Sequence, residues 1–217
     1  MRNISKGAEP KSLTKHRCST NSDYGNYSEK DDLRTSLVKE QRGLCCYCMQ
    51  RIRPNIDGMK IEHWQCQSRF PQRQLDYSNL LGACFGCEGQ EPNRQHCDTR
   101  KGDQDLTYNP ANPNHDVEST LKFLGDGTIV SEEPDFYREI IEVLNLNEGI
   151  LIKNRRAVLD VFLKEVLSAN PSSAKLEKEL KKWRGDGSSS DLPEFCQVII
   201  YYLGRKIRAL SYRKNQR

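Results

Sequence analysis

Cysteine is the residue type that most clearly indicates a chemical role in this 217-residue chain. The chain has nine cysteines, an odd number, and seven fall between Cys45 and Cys97. Cys45 and Cys48 form one Cys-x-x-Cys pair, and Cys84 and Cys87 form a second. Two residues between the cysteines let both thiolates point at one ion from a tight turn, and two such pairs complete a tetrahedral site. We therefore expect a structural Zn²⁺ ion bound here.

The fourth zinc ligand is open between two cysteines. Cys97, in the run Gln-His-Cys-Asp-Thr-Arg-Lys-Gly, could take the place of Cys87. Three cysteines belong to both candidate sets: Cys45, Cys48 and Cys84. Two others are interpreted as packing or surface thiols: Cys46 and Cys66. A disulfide framework is the poorer interpretation of an odd cysteine count without an export signal, so we expect a reducing, cytoplasmic setting.

An acid–histidine pair, Glu62-His63, lies between the two cysteine pairs, and Asn79 and Asp98 follow it along the chain. An imidazole with a pKa near ~6.5 can accept a proton from water at neutral pH. Carboxylates are the ligands that hard divalent cations prefer. Each residue alone has a plainer interpretation: a packed histidine, a surface acid, a turn asparagine or a helix cap. Their order together with the cysteines favours a hydrolytic centre.

This order of motifs resembles the HNH endonucleases of the ββα-metal superfamily. There, zinc cysteines bracket an Asp-His or Glu-His strand, a loop asparagine, and a final Asn, Asp or His before Lys-Gly. More narrowly, four segments are similar to the HNH component (the PtuB family) of Septu-type and retron-associated anti-phage defence systems. They are Ile61-Glu-His-Trp, Gln67-Ser-Arg-Phe-Pro, Asn79-Leu-Leu-Gly-x-Cys and His96-Cys-Asp-x-x-Lys-Gly-Asp. With Met1-Arg2 and Asn109-Pro110, the resemblance covers about half of the chain.

The resemblance implies a role for each candidate catalytic residue. His63 would be the general base, and Asn79 would orient it through a hydrogen bond to its second ring nitrogen. Glu62 and Asp98 would hold a catalytic Mg²⁺ or Mn²⁺ ion. The activity implied is metal-dependent hydrolysis of phosphodiester bonds, as the effector of an anti-phage complex.

The resemblance also bears on the zinc site and on a partner. Family members often have Asn where Cys87 stands and Pro where Cys66 stands, and the first difference favours Cys97 as the fourth zinc ligand. A PtuA-like ATPase is the implied partner. No Gly-rich phosphate loop ending in Gly-Lys-Ser/Thr occurs in this sequence, so any ATP dependence would come from that second chain.

Four residues near these motifs are expected to contact nucleic-acid phosphates: Lys101, Arg100, Arg73 and His96. The formal net charge of +4 permits a nucleic-acid partner, DNA or RNA, without requiring one. The basic run from Arg205 to Arg217 ranks lower, because terminal charges are usually just solvated. The alternative function is a zinc-stapled adaptor module that binds nucleic acid or protein without catalysis.

The helices and strands that the sequence predicts around these residues indicate an α+β fold. Residues 1–116 are expected to form a zinc-stapled ββα-metal (HNH) module with an N-terminal arm, one short strand in that arm, and a helix that Ser28 caps and Gly43 ends. Between Leu44 and Asp103 no long regular element fits, and 104–116 read as extended linker.

Residues 117–217 are expected to form a second domain, a hairpin followed by a helical bundle. Gly125-Asp-Gly127 marks the hairpin turn. Four features divide the helical part: a stop at Asn170-Pro171, a short helix from Ser173 to about Trp183, a loop over 185–190, and a last helix over 195–210.

Two classes of protein are excluded by composition. No apolar run approaches the ~20 residues that span a bilayer, and the mean hydropathy is −0.81. The first residues, Met-Arg-Asn-Ile-Ser-Lys-Gly-Ala-Glu-Pro-Lys-Ser, have no apolar stretch behind their charges, so we expect no secretory signal.

Overall fold

The structure, a computed structural model, describes residues 1–168, 171–187 and 191–215. Over these residues the fold is α+β, as the sequence predicts, with eight α-helices and two small antiparallel sheets. The helices are α1 (Lys11–Arg17), α2 (Lys30–Glu40), α3 (Cys97–Lys101), α4 (Val117–Thr120), α5 (Pro134–Arg138), α6 (Gly149–Phe162), α7 (Ser173–Arg184) and α8 (Cys196–Asn215). The strands are β1 (Lys60–His63), β2 (Leu80–Ala83), β3 (Leu121–Phe123) and β4 (Ile129–Ser131).

The N-terminal arm differs from the prediction. It contains no strand in the structure; its regular element is α1, which buries Leu13. A seven-residue helix with one buried apolar side chain carries no periodic signal in the sequence. Ser28 does not cap α2 either, because its hydroxyl donates to Glu29 Oε1 at 2.8 Å. Helix α2 buries Leu33 and Leu37 and ends at Glu40, before Gly43.

The middle of the chain is built from short elements, as expected for residues 44–103. Strands β1 and β2 pair antiparallel, with His63 opposite Leu80. The loop between them has two 3₁₀ turns, at Pro71–Arg73 and Tyr77–Asn79. Helix α3 follows, so the order is strand, loop, strand, helix.

The C-terminal half matches the predicted hairpin and most of the predicted helices. β3 and β4 pair antiparallel around the Gly125-Asp-Gly127 turn. Helices α5 and α6 each continue into a π-helical segment, Glu139–Val143 and Leu163–Leu167. Helix α7 begins where the Ser172 hydroxyl accepts a hydrogen bond from Lys175 N and ends at Gly185 in the left-handed conformation. Asn170 and the serines 188–190 lie outside the described residues.

One buried core joins the two halves of the chain. It includes Leu37 and Leu80 from the first half and Phe136, Leu151 and Ile199 from the second. Backbone hydrogen bonds cross the boundary as well, from Cys97 N to Leu144 O at 2.9 Å and from Phe195 N to Met49 O at 3.2 Å. The helical half therefore packs directly against the cysteine-rich half. The division into two domains at residue 116 stays a prediction.

No helix in the described part of the chain is both long and apolar enough to cross a bilayer.

Candidate metal centre and active site

Four cysteine thiols converge at one point. The sulfur atoms of Cys45, Cys48, Cys84 and Cys97 all lie within 4.8 Å of one another. Cys45 and Cys48 occupy a turn closed by the hydrogen bond from Cys45 N to Gln50 O at 2.8 Å. Cys84 follows β2 directly and Cys97 is the first residue of α3. The cluster thus ties together three segments that have little regular structure of their own.

The separation of the sulfurs fits a zinc ion. Tetrahedral Zn–S bonds of ~2.3 Å place sulfurs ~3.8 Å apart. Cys45 Sγ lies 3.9 Å from Cys97 Sγ, and Cys48 Sγ lies 3.6 Å from Cys84 Sγ. The backbone amide of Gln50 also points at Cys48 Sγ, at 3.5 Å. Such an amide stabilises a thiolate, so this donor set suits a structural metal.

Burial and contacts between the four thiols shift their pKa values. Burial raises the pKa of Cys48 and of Cys97 well above the ordinary value. Burial acts the same way on Cys45, but hydrogen bonds from four neighbouring thiols outweigh it and lower its pKa well below that value. The contact with Cys45 raises the pKa of Cys84, but the contacts with Cys48 and Cys97 outweigh it and lower that pKa. A divalent cation is what would allow all four to ionise.

Cys87 lies outside this cluster. Its sulfur is 3.7 Å from Nε2 of His96, and Nδ1 of that ring is 3.2 Å from Cys97 Sγ. Of the two candidates for the fourth position, the structure therefore brings Cys97 to the site. The turn that sends Cys87 away depends on Gly86, at φ +55, where a Cβ atom would lie 1.9 Å from His96 O.

His96 corrects one expectation. It is 2% exposed, and its ring is held between two sulfur atoms, so it does not face a nucleic-acid phosphate. Its place is beside a cluster thiol, where an N–H donor favours the thiolate form. The two cysteines interpreted as packing or surface thiols, Cys46 and Cys66, are both buried.

Glu62 projects from β1 into a buried polar cluster. Its side chain is 3% exposed, and Oε1 accepts hydrogen bonds from Tyr47 Oη at 2.7 Å and Lys101 Nζ at 2.9 Å. The carboxyl group of Asp98, on α3, lies within hydrogen-bonding reach of Glu62. Asp98 Oδ2 in turn is 2.9 Å from Lys60 Nζ. Strand and helix therefore bring the two predicted acids together.

The pKa values of the two acids shift in opposite directions. Burial raises the pKa of Glu62 well above its usual range, and the contact with Asp98 raises it further. Burial opposes ionisation of Asp98 too, but hydrogen bonds from Glu62 and Lys60 lower its pKa. Of the two acids, Glu62 therefore holds a proton more readily than Asp98. Two carboxyl oxygens in contact need a proton or a cation between them, and a Mg²⁺ or Mn²⁺ ion in place of the proton would meet oxygen ligands of the right type.

His63, the next residue on β1, is oriented by a backbone carbonyl. Its Nε2 lies 3.0 Å from Gln74 O, and because a carbonyl only accepts, Nε2 carries the hydrogen. The neutral ring keeps the lone pair on Nδ1. Tyr24 packs edge-on against the ring at a centroid distance of 4.4 Å. Burial lowers the pKa of His63, so the ring is neutral at physiological pH.

Asn79 is close in the chain but does not orient the histidine ring as expected. Its Oδ1 accepts from Gln65 N at 2.8 Å, and its Nδ2 donates to Gln65 O at 3.0 Å and Arg73 O at 3.2 Å. All its side-chain capacity goes to the loop between β1 and β2. The structure thus corrects the partner: Asn79 fixes that loop, and the loop carries the Gln74 carbonyl that holds His63.

The basic residues expected to contact phosphate are differently placed. Lys101 is 1% exposed and pairs with Glu62, so its ammonium group faces that carboxylate and not solvent. Arg100 is half-buried and donates to Pro92 O at 3.1 Å and Glu142 O at 3.4 Å. Arg73 is also half-buried, in an ion pair of 2.7 Å with Asp76. The phosphate role stays a prediction for these two arginines.

Sequence reasoning missed three residues of the site. Tyr47 and Lys60 contact the two acids, and Gln74 supplies the carbonyl that orients His63. Tyr47 lies inside the first cysteine pair, which gives a positional hint but no chemical one. A backbone carbonyl, as at Gln74, has no signature in a sequence.

Comparison with protein-family models and with curated proteins found no match.

Proposed function

We propose that this chain is a metal-dependent HNH endonuclease that hydrolyses phosphodiester bonds in nucleic acid. The observation that carries the proposal is the contact between Glu62 and Asp98, with His63 adjacent on the same strand. This arrangement agrees with the resemblance of the motifs. Strand β1 carries Glu62 and His63, and α3, which follows the second strand, carries Asp98. The four-cysteine cluster joins the ends of β2 and α3 beside them.

In this proposal His63 is the general base. Its Nδ1 accepts a proton from the attacking water, while Nε2–H stays on the Gln74 carbonyl and fixes the ring. Asn79 keeps the loop that presents this carbonyl. Because the pKa of His63 is lowered, the base needs no prior deprotonation at neutral pH.

Glu62 and Asp98 are the residues that would hold a divalent cation. When bound, that cation would neutralise charge at the phosphate and at the leaving 3′ oxygen. Lys60 and Lys101 position the two carboxyl groups. Zinc at the cysteine cluster is structural in this proposal, since all four ligand positions come from the protein.

We further propose that the nuclease serves as the effector of an anti-phage defence complex with a partner ATPase. This step is supported by the resemblance of the motifs to the PtuB family. The sequence itself carries no phosphate-binding loop for ATP.

A catalytically silent adaptor is the second candidate, and one observation favours it. Each acid of the pair already contacts a lysine, Glu62 with Lys101 and Asp98 with Lys60, so the cluster is electrically satisfied by protein groups alone. A binding module could keep such a cluster purely for its stability.

The test is nicking of supercoiled plasmid and cleavage of total RNA by the purified chain. Wild type and His63→Ala are compared with Mn²⁺ and without added divalent cation, after the zinc content of each has been measured. His16→Ala is the matched control, because that half-buried ring is likewise held by a backbone carbonyl, with its Nε2 on Asp23 O. We expect Mn²⁺-dependent cleavage by wild type and His16→Ala only.

The same assay is repeated with a PtuA-like ATPase, the partner that the resemblance implies, added. Cleavage that needs the ATPase and is lost in His63→Ala supports a nuclease gated by its partner. Cleavage in neither setting, with zinc bound and nucleic-acid binding intact, favours the adaptor.

A further inference from the structure

A groove of about 870 Å³ lies between the hairpin, helix α8 and the end of helix α7. Besides Lys122 on β3, its basic lining comes from two helices: Arg184 is the last residue of α7, and Arg205 and Arg208 lie on α8. In the sequence, Arg184 is separated from the other two arginines by the segment that joins α7 to α8 and by the first part of α8. The fold brings their side chains to one surface.

The three arginines are exposed and available. None of them has a carboxylate partner among the described residues, and Arg205 lies over the ring of Tyr201 at 5.7 Å. The groove also holds acidic groups, but these are occupied. Glu118 contacts Arg2 at 3.6 Å and accepts from Gln197 at 3.2 Å.

The remaining acid of the groove, Asp116, is hydrogen-bonded as well. Asp116 accepts hydrogen bonds from Asn3 Nδ2 at 3.0 Å and Ser119 N at 3.3 Å. Lys122 pairs with Glu132, which lies outside the groove lining. The groove therefore presents a net excess of guanidinium groups.

The face of α8 between the arginines is open. Gly204 lies between Tyr201 and Arg205, and a Cβ atom there would meet only the Arg208 side chain, at 3.4 Å. Tyr201 is half-buried, and Leu124 at the groove edge is 44% exposed. Guanidinium forks match phosphate oxygens, while aromatic and apolar surfaces receive unstacked bases.

We propose that this groove binds a single strand of nucleic acid, with Arg184, Arg205 and Arg208 on its phosphates. The inference rests on the proposed function and deepens it, because it assigns where the substrate strand lies away from the reacting centre. It also replaces Lys101, which is buried, with arginines that solvent reaches.

The test measures binding without cleavage. The full chain carrying His63→Ala is titrated into a fluorescent single-stranded oligonucleotide of about 20 nucleotides, in DNA and RNA forms, with no added Mg²⁺ or Mn²⁺. We expect Arg205→Gln with Arg208→Gln to weaken binding about tenfold at ~0.1 M salt and to lower the slope of log K against log salt by about 1.4, since each phosphate contact contributes ~0.7.

The matched control is Arg138→Gln with Arg156→Gln. It removes the same two charges from exposed helix positions outside the groove, each paired with an acid on its own helix. Equal effects of the two double variants, or no effect of either, would overturn the proposal. An acidic protein partner in the groove would give this second result.

Gly204→Glu adds a carboxylate to the same face without removing any contact. Glycine is a poor helix former, so this variant is expected to fold and to keep its zinc. We expect it to weaken oligonucleotide binding as strongly as the double variant does. Unchanged affinity in this folded variant would overturn the proposal. The cleavage assay with His63→Ala tests the proposed nuclease activity, and the binding assay tests the groove. Either proposal can therefore be overturned without the other.

Discussion

The ammonium group of Lys101 lies 2.9 Å from Glu62 Oε1, and neither side chain is more than 3% exposed. Lys101 Nζ also donates to the backbone oxygen of His63 at 3.3 Å. One lysine on α3 thus contacts both the carboxyl group of Glu62 and the backbone of His63 on β1. Helix α3 contributes to the candidate active site as a scaffold through Lys101 and as a ligand-bearing element through Asp98.

Replacing Lys101 with Met should destabilise the fold, because it leaves the Glu62 carboxyl group buried without its cation. Breaking a buried pair costs about 3 kcal/mol or more. Urea unfolding of zinc-loaded protein measures the change. Lys178→Met, at an exposed position of α7, should shift the free energy of unfolding by no more than ~0.5 kcal/mol.

The phosphate role first expected of Lys101 has a different signature. If Lys101→Met left stability unchanged and lowered the salt dependence of oligonucleotide binding, the lysine would act on phosphate after all. We expect the opposite pattern, with stability reduced and the salt slope retained.

Zinc retention should separate Cys97 from Cys87. Cys97→Ala removes one of four converging sulfurs, so we expect loss of the bound zinc and of cooperative unfolding in the cysteine-rich half. Cys87→Ala removes a thiol that lies against the His96 ring and outside the four-sulfur cluster, and it should keep one zinc per chain. Metal analysis and thermal unfolding of both variants check this. Zinc loss on Cys87→Ala alone would assign the ligand the other way.

Local patterns were enough to predict some of these features. The spacing of Cys45, Cys48 and Cys84 predicted three members of the cluster, since Cys-x-x-Cys turns are a local device. The Gly125-Asp-Gly127 turn predicted the second hairpin for the same reason. The resemblance of the motifs, and not spacing, selected Cys97 as the fourth sulfur.

Other features depend on pairings between distant segments. Lys101 reads as a surface charge, because lysine is almost never fully buried unless it is paired, and its partner is 39 positions away in the sequence. Arg155 on α6 is likewise 0% exposed, with its Nε on Gly127 O at 2.5 Å. No periodic pattern encodes such a contact.

Asn79→Ala should loosen the loop between β1 and β2. It leaves Gln65 N and two backbone carbonyls without their side-chain partner, which costs about 2–3 kcal/mol for partly buried groups. Urea unfolding measures this, with exposed Asn55→Ala as the matched control.

A second measurement on the same variant tests the corrected partner of Asn79. Ring ¹⁵N chemical shifts of His63 in wild type should report hydrogen on Nε2, since that nitrogen donates to Gln74 O. In Asn79→Ala we expect the ring signals to broaden as the carbonyl becomes less well fixed. A change of tautomer without any loss of stability would instead indicate a direct bond between the Asn79 amide and the ring.

The buried His63 ring should make the fold less stable in acid. Its pKa is lowered from 6.5 mainly by burial, so the unfolded chain binds this proton more readily than the folded one. The contribution to stability is complete above about pH 6.5 and is lost as the pH falls toward the folded-state pKa, by up to ~1.4 kcal/mol for each unit of lowering. Nearby Asp98 acts against this shift, and Lys101 acts with it.

His63→Gln removes this titration while keeping a group that can donate to Gln74 O. The difference in unfolding free energy between wild type and His63→Gln should therefore shrink between about pH 7.5 and about pH 5.5. On the proposed function, cleavage by wild type falls over the same acid range, because the protonated ring cannot accept a proton from water. A difference that grew toward acid pH would mean that the folded protein holds His63 protonated, and the ring could not then serve as the base.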